Sequence, residues 1–275
     1  MAYLRLLRPH HWIKNLLLFA PLIFSGNFFS GRHFLNICLG AIVFSLIAST
    51  VYILNDIADQ VSDRMHPEKK CRPIAAGMIS PREGYFIALF IGLFAFIVAW
   101  YLKEDFFFLL LAYLFGNLLY SLWLKRMPIL DLLIVASFYL MRIFAGGVLI
   151  DVRISSLLIL TTFSMALFII ATKRRQELSY AGGVNVVGYA APLLDIISSA
   201  AIAGTIIFYV LYILSKPVLF LWTIPFVAYA IFRYAYLIYS EKKNEEPIAL
   251  VLHDWGILVA LFGWVSSVFM MLYIL

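Results

Sequence analysis

The sequence predicts an all-α, polytopic membrane protein built as a bundle of nine transmembrane helices. Three observations carry that expectation. Of 275 residues, 64% are hydrophobic and 13% charged, against about 45–50% and about 25% in soluble domains. Apolar runs near the bilayer-crossing length of about 20 residues recur along the whole chain. The basic residues gather in every second connection between those runs. This composition excludes a disordered chain, a secreted disulfide scaffold and a nucleic-acid-binding domain, although an isoelectric point near 9.2 suggests the last.

The first run, about residues 12–29, follows Arg5 and Arg8. It reads as a retained helix, because no small-residue cleavage pattern appears before Gly31 and another apolar run starts at once. The others fall at about 34–57, 83–102, 106–123, 128–150, 154–173, 192–214, 217–240 and 254–274, separated by polar punctuation. No repeat or linker divides them, so residues 1–275 read as one integral membrane domain. The tail and the even connections hold Arg5, Arg8, Arg64, Lys69, Lys70, Arg72, Arg82, Lys125, Arg126, Lys173, Arg174, Arg175, Lys242 and Lys243. The odd connections hold only Arg32, Lys103, Arg153 and Lys216. The positive-inside rule then places the N-terminus and even connections in the cytoplasm and the C-terminus outside. Cys38 and Cys71 have the spacing of neither a metal site nor a disulfide framework and read as free thiols.

The second run ends in acid. On a helix, Asn55, Asp56, Asp59 and Asp63 fall within an arc of about 100°. Three carboxylates so close repel one another, which is costly at the end of an apolar helix. A divalent cation removes the conflict, and an oxygen-only ligand set suits Mg2+, which keeps sites for water and substrate phosphate. Asp56, Asp59 and Asp63 are the candidate metal ligands, with Asp56 and Asp59 also the candidate catalytic carboxylates. The competing reading is a solvated acidic helix end. The loop that follows, His66 to Arg82, brings Lys69, Lys70 and Arg72 beside the acids. Carboxylates for a metal next to cations for phosphate oxygens suggest a metal-polyphosphate site, with Lys70 and Arg72 as phosphate ligands. Arg82 is better read as meeting lipid headgroups.

These residues resemble a known family. The pattern N-D-x-x-D-x-x-x-D over Asn55 to Asp63, followed by K-C-R-P-I-A-A-G from Lys70, is similar to the first aspartate-rich motif and loop of the UbiA-type intramembrane prenyltransferases. The resemblance implies a nine-helix bundle with a cytoplasm-facing cavity. Within that superfamily, Arg8-Pro9-His10-His11-Trp12-Ile13-Lys14-Asn15, the stretch from Tyr120 to Asp131, and Lys173-Arg174-Arg175-Gln176-Glu177-Leu178 resemble the bacterial decaprenyl-phosphate phosphoribosyltransferases. The likeness reaches to about residue 190; beyond it the chain matches only as apolar spans.

One departure is informative. Most relatives in the superfamily carry a second aspartate-rich motif after the sixth helix, and this chain has K-R-R-Q-E there. Lys173, Arg174 and Glu177 share an arc of about 100°, which gives two cations and one carboxylate. A more anionic substrate suits that exchange, and 5-phosphoribosyl 1-diphosphate with a polyprenyl (decaprenyl-like) phosphate is such a pair. Lys173 is a candidate catalytic residue, and Arg174 and Glu177 candidate phosphate-site residues. The competing reading is a basic cytoplasmic helix end.

On the fourth helix, Asn117, Ser121 and Lys125 share one face with Tyr120 beside it, and Tyr120 and Lys125 join the candidate phosphate-site set together with Asn55. Asp131 and Arg142 face the same way about three turns apart. Arg142 has two readings: a phosphate ligand, or a cation neutralised by a carboxylate on another helix. Lys14 is a candidate phosphate ligand with snorkelling to the interface as its competitor. Asp254 reads as a cap of the last helix, Gly182-Gly183 as a turn, and Glu241 to Glu246 as a solvated loop.

The function implied is Mg2+-dependent transfer of a 5-phosphoribosyl group from 5-phosphoribosyl 1-diphosphate to a polyprenyl phosphate in a bacterial plasma membrane. The resemblance carries with it a place in cell-wall precursor synthesis. One alternative keeps the fold and moves a prenyl group from a prenyl diphosphate to an aromatic or other small acceptor. Another is a cation-coupled transporter, against which stand the absence of an internal repeat and the concentration of charge at helix ends. The oligomeric state is open.

Overall fold

A computed structural model of the protein describes residues 2–65, 69–180, 188–240 and 246–274. His66, Gly182, Gly183, Lys242, Lys243 and most of the Glu241 to Glu246 run lie outside the described residues. The chain is helical in the order α1 (Ala2–Leu7), α2 (Ala20–Phe24), α3 (Gly31–Ala58), α4 (Gln60–Met65), α5 (Pro81–Leu102), α6 (Glu104–Leu122), α7 (Leu130–Leu149), α8 (Ser156–Tyr180), α9 (Ala191–Leu214), α10 (Ile224–Tyr239), α11 (Pro247–His253) and α12 (Trp255–Tyr273). Tighter 3-10 segments occur at Pro9–Phe19, Lys69–Cys71, Leu124–Arg126 and Val218–Thr223. Among the described residues, 8 helical stretches are long and apolar enough to cross a membrane.

The expected first span, residues 12–29, differs from the other eight. It is made of the 3-10 segment Pro9–Phe19 and the short α2, and the chain then turns at Gly26, whose φ of 78° lies in the left-handed region. Two other boundaries move. The eighth expected span opens as the 3-10 segment Val218–Thr223 before α10, where Pro225 sits in the first turn and its missing N–H costs no helical bond. The sixth runs on as α8 to Tyr180, since the Lys-Arg-Arg-Gln-Glu-Leu stretch consists of good helix formers.

Two compact units divide the chain: Met1–Leu124 with Met141–Arg153, and Lys125–Leu140 with Ile154–Leu275. In the first, α3 is central, and α1, the Pro9–Phe19 segment, α5 and α6 pack against it. Leu6, Ile53, Ile74, Ile79 and Ala88 form a buried cluster at its motif-bearing end. The 3-10 segment is tied to α3 by polar side chains: Trp12 Nε1 donates to Ser49 Oγ (3.0 Å) and Asn15 Nδ2 to Ser45 Oγ (2.8 Å). Polar bonds suit an apolar surround, where hydrophobic burial does not tell one helix pairing from another. Helix α5 starts with a capping box, Ser80 Oγ accepting from Glu83 N–H (3.2 Å) and Glu83 Oε2 from Ser80 N–H (2.8 Å). Its Phe86, Phe90, Leu93, Phe94 and Ile97 are exposed at helical spacing, an outward stripe suited to lipid.

Gly146 on α7 meets Leu18 backbone to backbone: a Cβ there would lie 2.1 Å from the Leu18 carbonyl oxygen. Only glycine permits that approach.

In the second unit α8 packs along α9, and α10, α12 and Val218–Thr223 pack on one another. Phe168, Ala201, Ile231, Tyr234, Leu237, Ile238, Leu250 and Ile257 form one buried cluster. Leu132, Ala136, Ala166, Ile170, Tyr189 and Leu194 form another. Asp254 caps α12 as expected, accepting from Ile257 N–H at 2.9 Å, and also pairs with Arg233 at 2.9 Å. Cys38 and Cys71 are free thiols.

Candidate functional site

The acidic motif lies at the end of α3 and runs into α4. Asp59 falls between the two helices with φ −92° and ψ 6°. The four-residue backbone bonds nevertheless continue, Asp59 N–H to Asn55 O (2.8 Å) and Asp63 N–H to Asp59 O (2.9 Å), so the acids keep a helical register through the break. Asp56 and Asp63 are buried, and Asn55 and Asp59 half-buried.

Two guanidinium groups meet this face. Arg72 Nη1 contacts both Asp56 Oδ1 (3.2 Å) and Asp63 Oδ2 (2.6 Å), and Arg8 Nη2 lies 2.5 Å from the same Asp56 oxygen. The repulsion expected among the carboxylates is thus met in part by arginine, beside the divalent metal ion that their spacing suggests. Asp56 Oδ2 remains buried with no hydrogen-bond partner among the described residues. A buried carboxylate oxygen without a donor is costly, and hard, oxygen-only donors are what Mg2+ takes. The residues fit a divalent cation on these grounds.

Arg72 comes to the acids because the Lys69–Cys71 turn and its following bonds reverse the chain, with Arg72 N–H on Lys69 O (3.0 Å) and Ala76 N–H on Arg72 O (2.8 Å). Lys70 is exposed on that turn. The sequence marks Arg8 as topological charge and as the first residue of the family-like Arg8 to Asn15 motif, not as a partner of the acids. Its contact depends on a left-handed backbone, φ 50° and ψ 58°, just ahead of the 3-10 segment, for which its sequence gives no signal. Lys14 is half-buried, while its neighbour Asn15 is the residue that turns inward.

Arg142 is buried among protein groups. It is 4% exposed, its Nε donates to Asn15 Oδ1 (2.9 Å) and its Nη2 to Tyr113 OH (3.0 Å), and its guanidinium lies 5.2 Å from the Phe44 ring centre. Protein acceptors and aromatic faces surround the cation, a bracing arrangement between the 3-10 segment, α3, α6 and α7. Within the first unit, Tyr120 is half-buried on α6, and Asn117 Nδ2 donates back to Tyr113 O (2.8 Å).

The second unit holds the other charged face. Because α8 stays helical to Tyr180, Lys173, Arg174 and Glu177 do share a side. Arg174 Nη1 contacts Glu177 Oε2 at 2.7 Å and its Nε contacts Asp131 Oδ2 at 3.1 Å. Two carboxylates therefore accompany two cations, and this face is balanced where the sequence suggested a basic excess. Lys173 and Lys125 are half-buried. Tyr189 was missed altogether. Its hydroxyl donates to Asp131 Oδ1 and accepts from Ile129 N–H at 2.5 Å. Burial and the adjoining Asp131 carboxylate push this phenol well above the ordinary tyrosine value. Nothing local marks it, since its partners lie some sixty positions back in the chain.

The family model described as UbiA prenyltransferase family matches residues 16–255. A decaprenyl-phosphate phosphoribosyltransferase of Mycolicibacterium smegmatis is 36% identical over 185 residues, covering 65% of this chain and 57% of that protein. Another, of Mycobacterium tuberculosis, is 36% identical over 179 residues, covering 64% and 59%. The matches thus span under two thirds of these relatives' lengths. Among solved structures, a UbiA homolog from Archaeoglobus fulgidus bound to GPP and Mg2+ superposes with a TM-score of 0.75 at 19% identity, covering 99% of each chain. That likeness is one of fold.

Proposed function

The chain belongs to the UbiA prenyltransferase family, and we propose that within it the protein is a membrane-embedded, Mg2+-dependent transferase. It moves a 5-phosphoribosyl group from 5-phosphoribosyl 1-diphosphate to a polyprenyl phosphate and releases diphosphate. The observation that carries the choice of donor is α8. At the place of the family's second aspartate-rich motif it presents Lys173 and Arg174, as the resemblance to the phosphoribosyltransferases implies.

In the reaction the bond from the anomeric carbon to the diphosphate oxygen breaks, its electron pair leaving with diphosphate. A phosphate oxygen of the polyprenyl lipid forms the new bond to that carbon. The acceptor is already an anion at neutral pH, so no strong general base is required. Asp56, Asp59 and Asp63 would hold Mg2+, with Asn55 beside them. When bound, the metal supplies neutralisation of charge on the leaving diphosphate. Lys14, Lys70, Arg72, Tyr120, Lys125, Lys173 and Arg174 hold phosphate oxygens, Glu177 orients Arg174, and electrostatic positioning is the main catalytic contribution. Arg142, braced by Asn15 and Tyr113, is assigned to holding the N-terminal segment and not to phosphate.

We read residues 1–275 as one transferase domain in a bacterial plasma membrane, N-terminus cytoplasmic and C-terminus outside, with the polar site reached from the cytoplasm. The ninth crossing is the Pro9–Phe24 stretch. Eleven residues at the 3-10 rise of about 2.0 Å and five at about 1.5 Å give roughly 30 Å, the thickness of the hydrocarbon layer.

A second reading, transfer of a prenyl group from a prenyl diphosphate, is favoured by one observation. Asp131 and Glu177 bring two carboxylates to the α8 face, closer to an aspartate-rich wall than the motif alone suggests. Purified protein with Mg2+ separates the readings. With decaprenyl phosphate and 5-phosphoribosyl 1-diphosphate, mass spectrometry should find a lipid heavier by one phosphoribosyl group. Transfer only from a prenyl diphosphate to a small acceptor would refute the first reading.

A further inference from the structure

We propose that Tyr189 and Asp131 are positioning residues that set the Arg174 guanidinium for phosphate, by a clamp closed on the turn at Ile129. The inference rests on the phosphate-binding role proposed for Arg174.

Tyr189 is 8% exposed, with its ring packed among Leu132, Ala136, Ala166, Ile170 and Leu194. Such a pocket would take phenylalanine equally well, so the hydroxyl calls for its own account. Ile129 N–H donates to that oxygen at 2.5 Å. An amide N–H can only donate, so the hydroxyl proton points to the Asp131 carboxylate. Asp131 Oδ2 then accepts from Arg174 Nε at 3.1 Å, and Arg174 Nη1 reaches Glu177 Oε2 at 2.7 Å. The hydrogen bonds run from the backbone to the Asp131 carboxylate, which together with Glu177 fixes two nitrogens of the guanidinium.

The turn itself is unusual. Ile129 has φ of 69°, a left-handed conformation that a β-branched side chain rarely adopts. Residues so strained persist where the surroundings over-determine them, and they cluster at sites of function. Beside it, Gly188 has φ of 70°, and a Cβ there would stand 3.0 Å from Pro128 Cγ. Gly188 and Tyr189 thus lie against Pro128 and Ile129 in successive contacts. The strained turn opens α7 at Leu130, and Asp131 is the second residue of that helix. A strained entry held by one hydroxyl fixes the direction of the carboxylate that holds Arg174.

The test is a double-mutant cycle on the full chain in detergent, with Tyr189→Phe, Arg174→Ala and the double variant. Calorimetry with inorganic diphosphate in the presence of Mg2+ provides the readout. Phosphoribosyl and prenyl transfer both release diphosphate, so the cycle reads positioning under either function. Failure of 5-phosphoribosyl 1-diphosphate as donor in the lipid-product assay would overturn the function alone. Expected losses of affinity are about fivefold for Tyr189→Phe and about tenfold or more for Arg174→Ala, with the double variant no weaker than Arg174→Ala. The thermal midpoint of Tyr189→Phe should fall, because the Ile129 N–H and Asp131 Oδ1 lose their partner, while the folded fraction recovered in detergent stays close to wild type. Asp131→Asn, which keeps the shape and removes the charge, should join the same non-additive cycle and decides the matter if Tyr189→Phe does not fold. Wild-type affinity in Tyr189→Phe, losses that add, or a wild type that does not bind inorganic diphosphate overturns the proposal.

Discussion

Arg8 reaches forty-eight positions along the chain to place its Nη2 2.5 Å from Asp56 Oδ1, joining the N-terminal segment to the end of α3. Arg72 shares the same oxygen at 3.2 Å. One carboxylate oxygen is therefore saturated by cations while its twin has no donor among the described residues.

Asp56→Ala and Asp59→Ala should each lower transfer at least about a hundredfold, because they remove proposed metal ligands from the leaving-group site. Far less should be lost in the folded fraction recovered in detergent, measured by size-exclusion chromatography. Wild-type turnover by the doubly substituted protein would contradict the metal assignment.

Arg72→Lys should behave almost as badly as Arg72→Ala. A single ammonium on a flexible stem cannot reproduce the planar group that spans Asp56 and Asp63. The expected sign is a fall in thermal stability of about 1–3 kcal/mol for either change, given a partly buried pair of carboxylates left facing one another. Thermal unfolding with and without added Mg2+ checks it, and added Mg2+ should restore part of the loss.

Gly146→Ala should destabilise the fold by about 1–3 kcal/mol or more, since the new methyl would overlap the Leu18 carbonyl and neither backbone can yield cheaply. Gly31→Ala, with open space around its Cβ position, is the matched control and should be near neutral. The comparison is read from midpoints of thermal aggregation.

At the opposite end of the first unit from the acidic motif, Lys103 pairs with Asp151, and its hydrogen bond and charge hold that carboxyl below its ordinary value. A group whose value is depressed on folding contributes stability above its unfolded value of 3.8 and loses it as pH falls through the lower folded value. Wild type should therefore be more stable than Asp151→Asn at pH 6, and the difference should close as the pH is lowered past about 4. Thermal midpoints across that range test the direction; a gap that widens in acid contradicts it. The pair is exposed, so the effect should be small and should shrink with salt.

The long spans were legible because two simple patterns agree: apolar runs of bilayer length, and cations placed at alternate ends. Helices α3, α5 to α7, α9 and α12 fall within a few residues of the expected ranges, and α8 shows why a boundary was missed. The hydropathy fell at Lys173, but helix propensity did not. The first segment was legible as an apolar run, but hydropathy alone does not distinguish its 3-10 course from an α-helix. At the site, the acids were found from their spacing on one helix. Arg8, Asp131 and Tyr189 were missed in their present roles because each works through a partner far off in sequence, and two of the three contacts depend on left-handed backbones at Arg8 and Ile129. For Arg142 the position on α7 was legible, while its acceptors Asn15 and Tyr113 were not.

The meeting of Gly146 with Leu18 has a mechanical consequence. Where side chains separate two helices, the pair can slide or tilt by changing rotamers, and the contact works as a bearing. Between Gly146 and the Leu18 carbonyl there is no such layer, and the contact works as a pin. When the surrounding bilayer thickens or thins, the Pro9–Phe19 segment and the second half of α7 must move together as one piece, and the adjustment falls on helices such as α5, whose phenylalanines face outward.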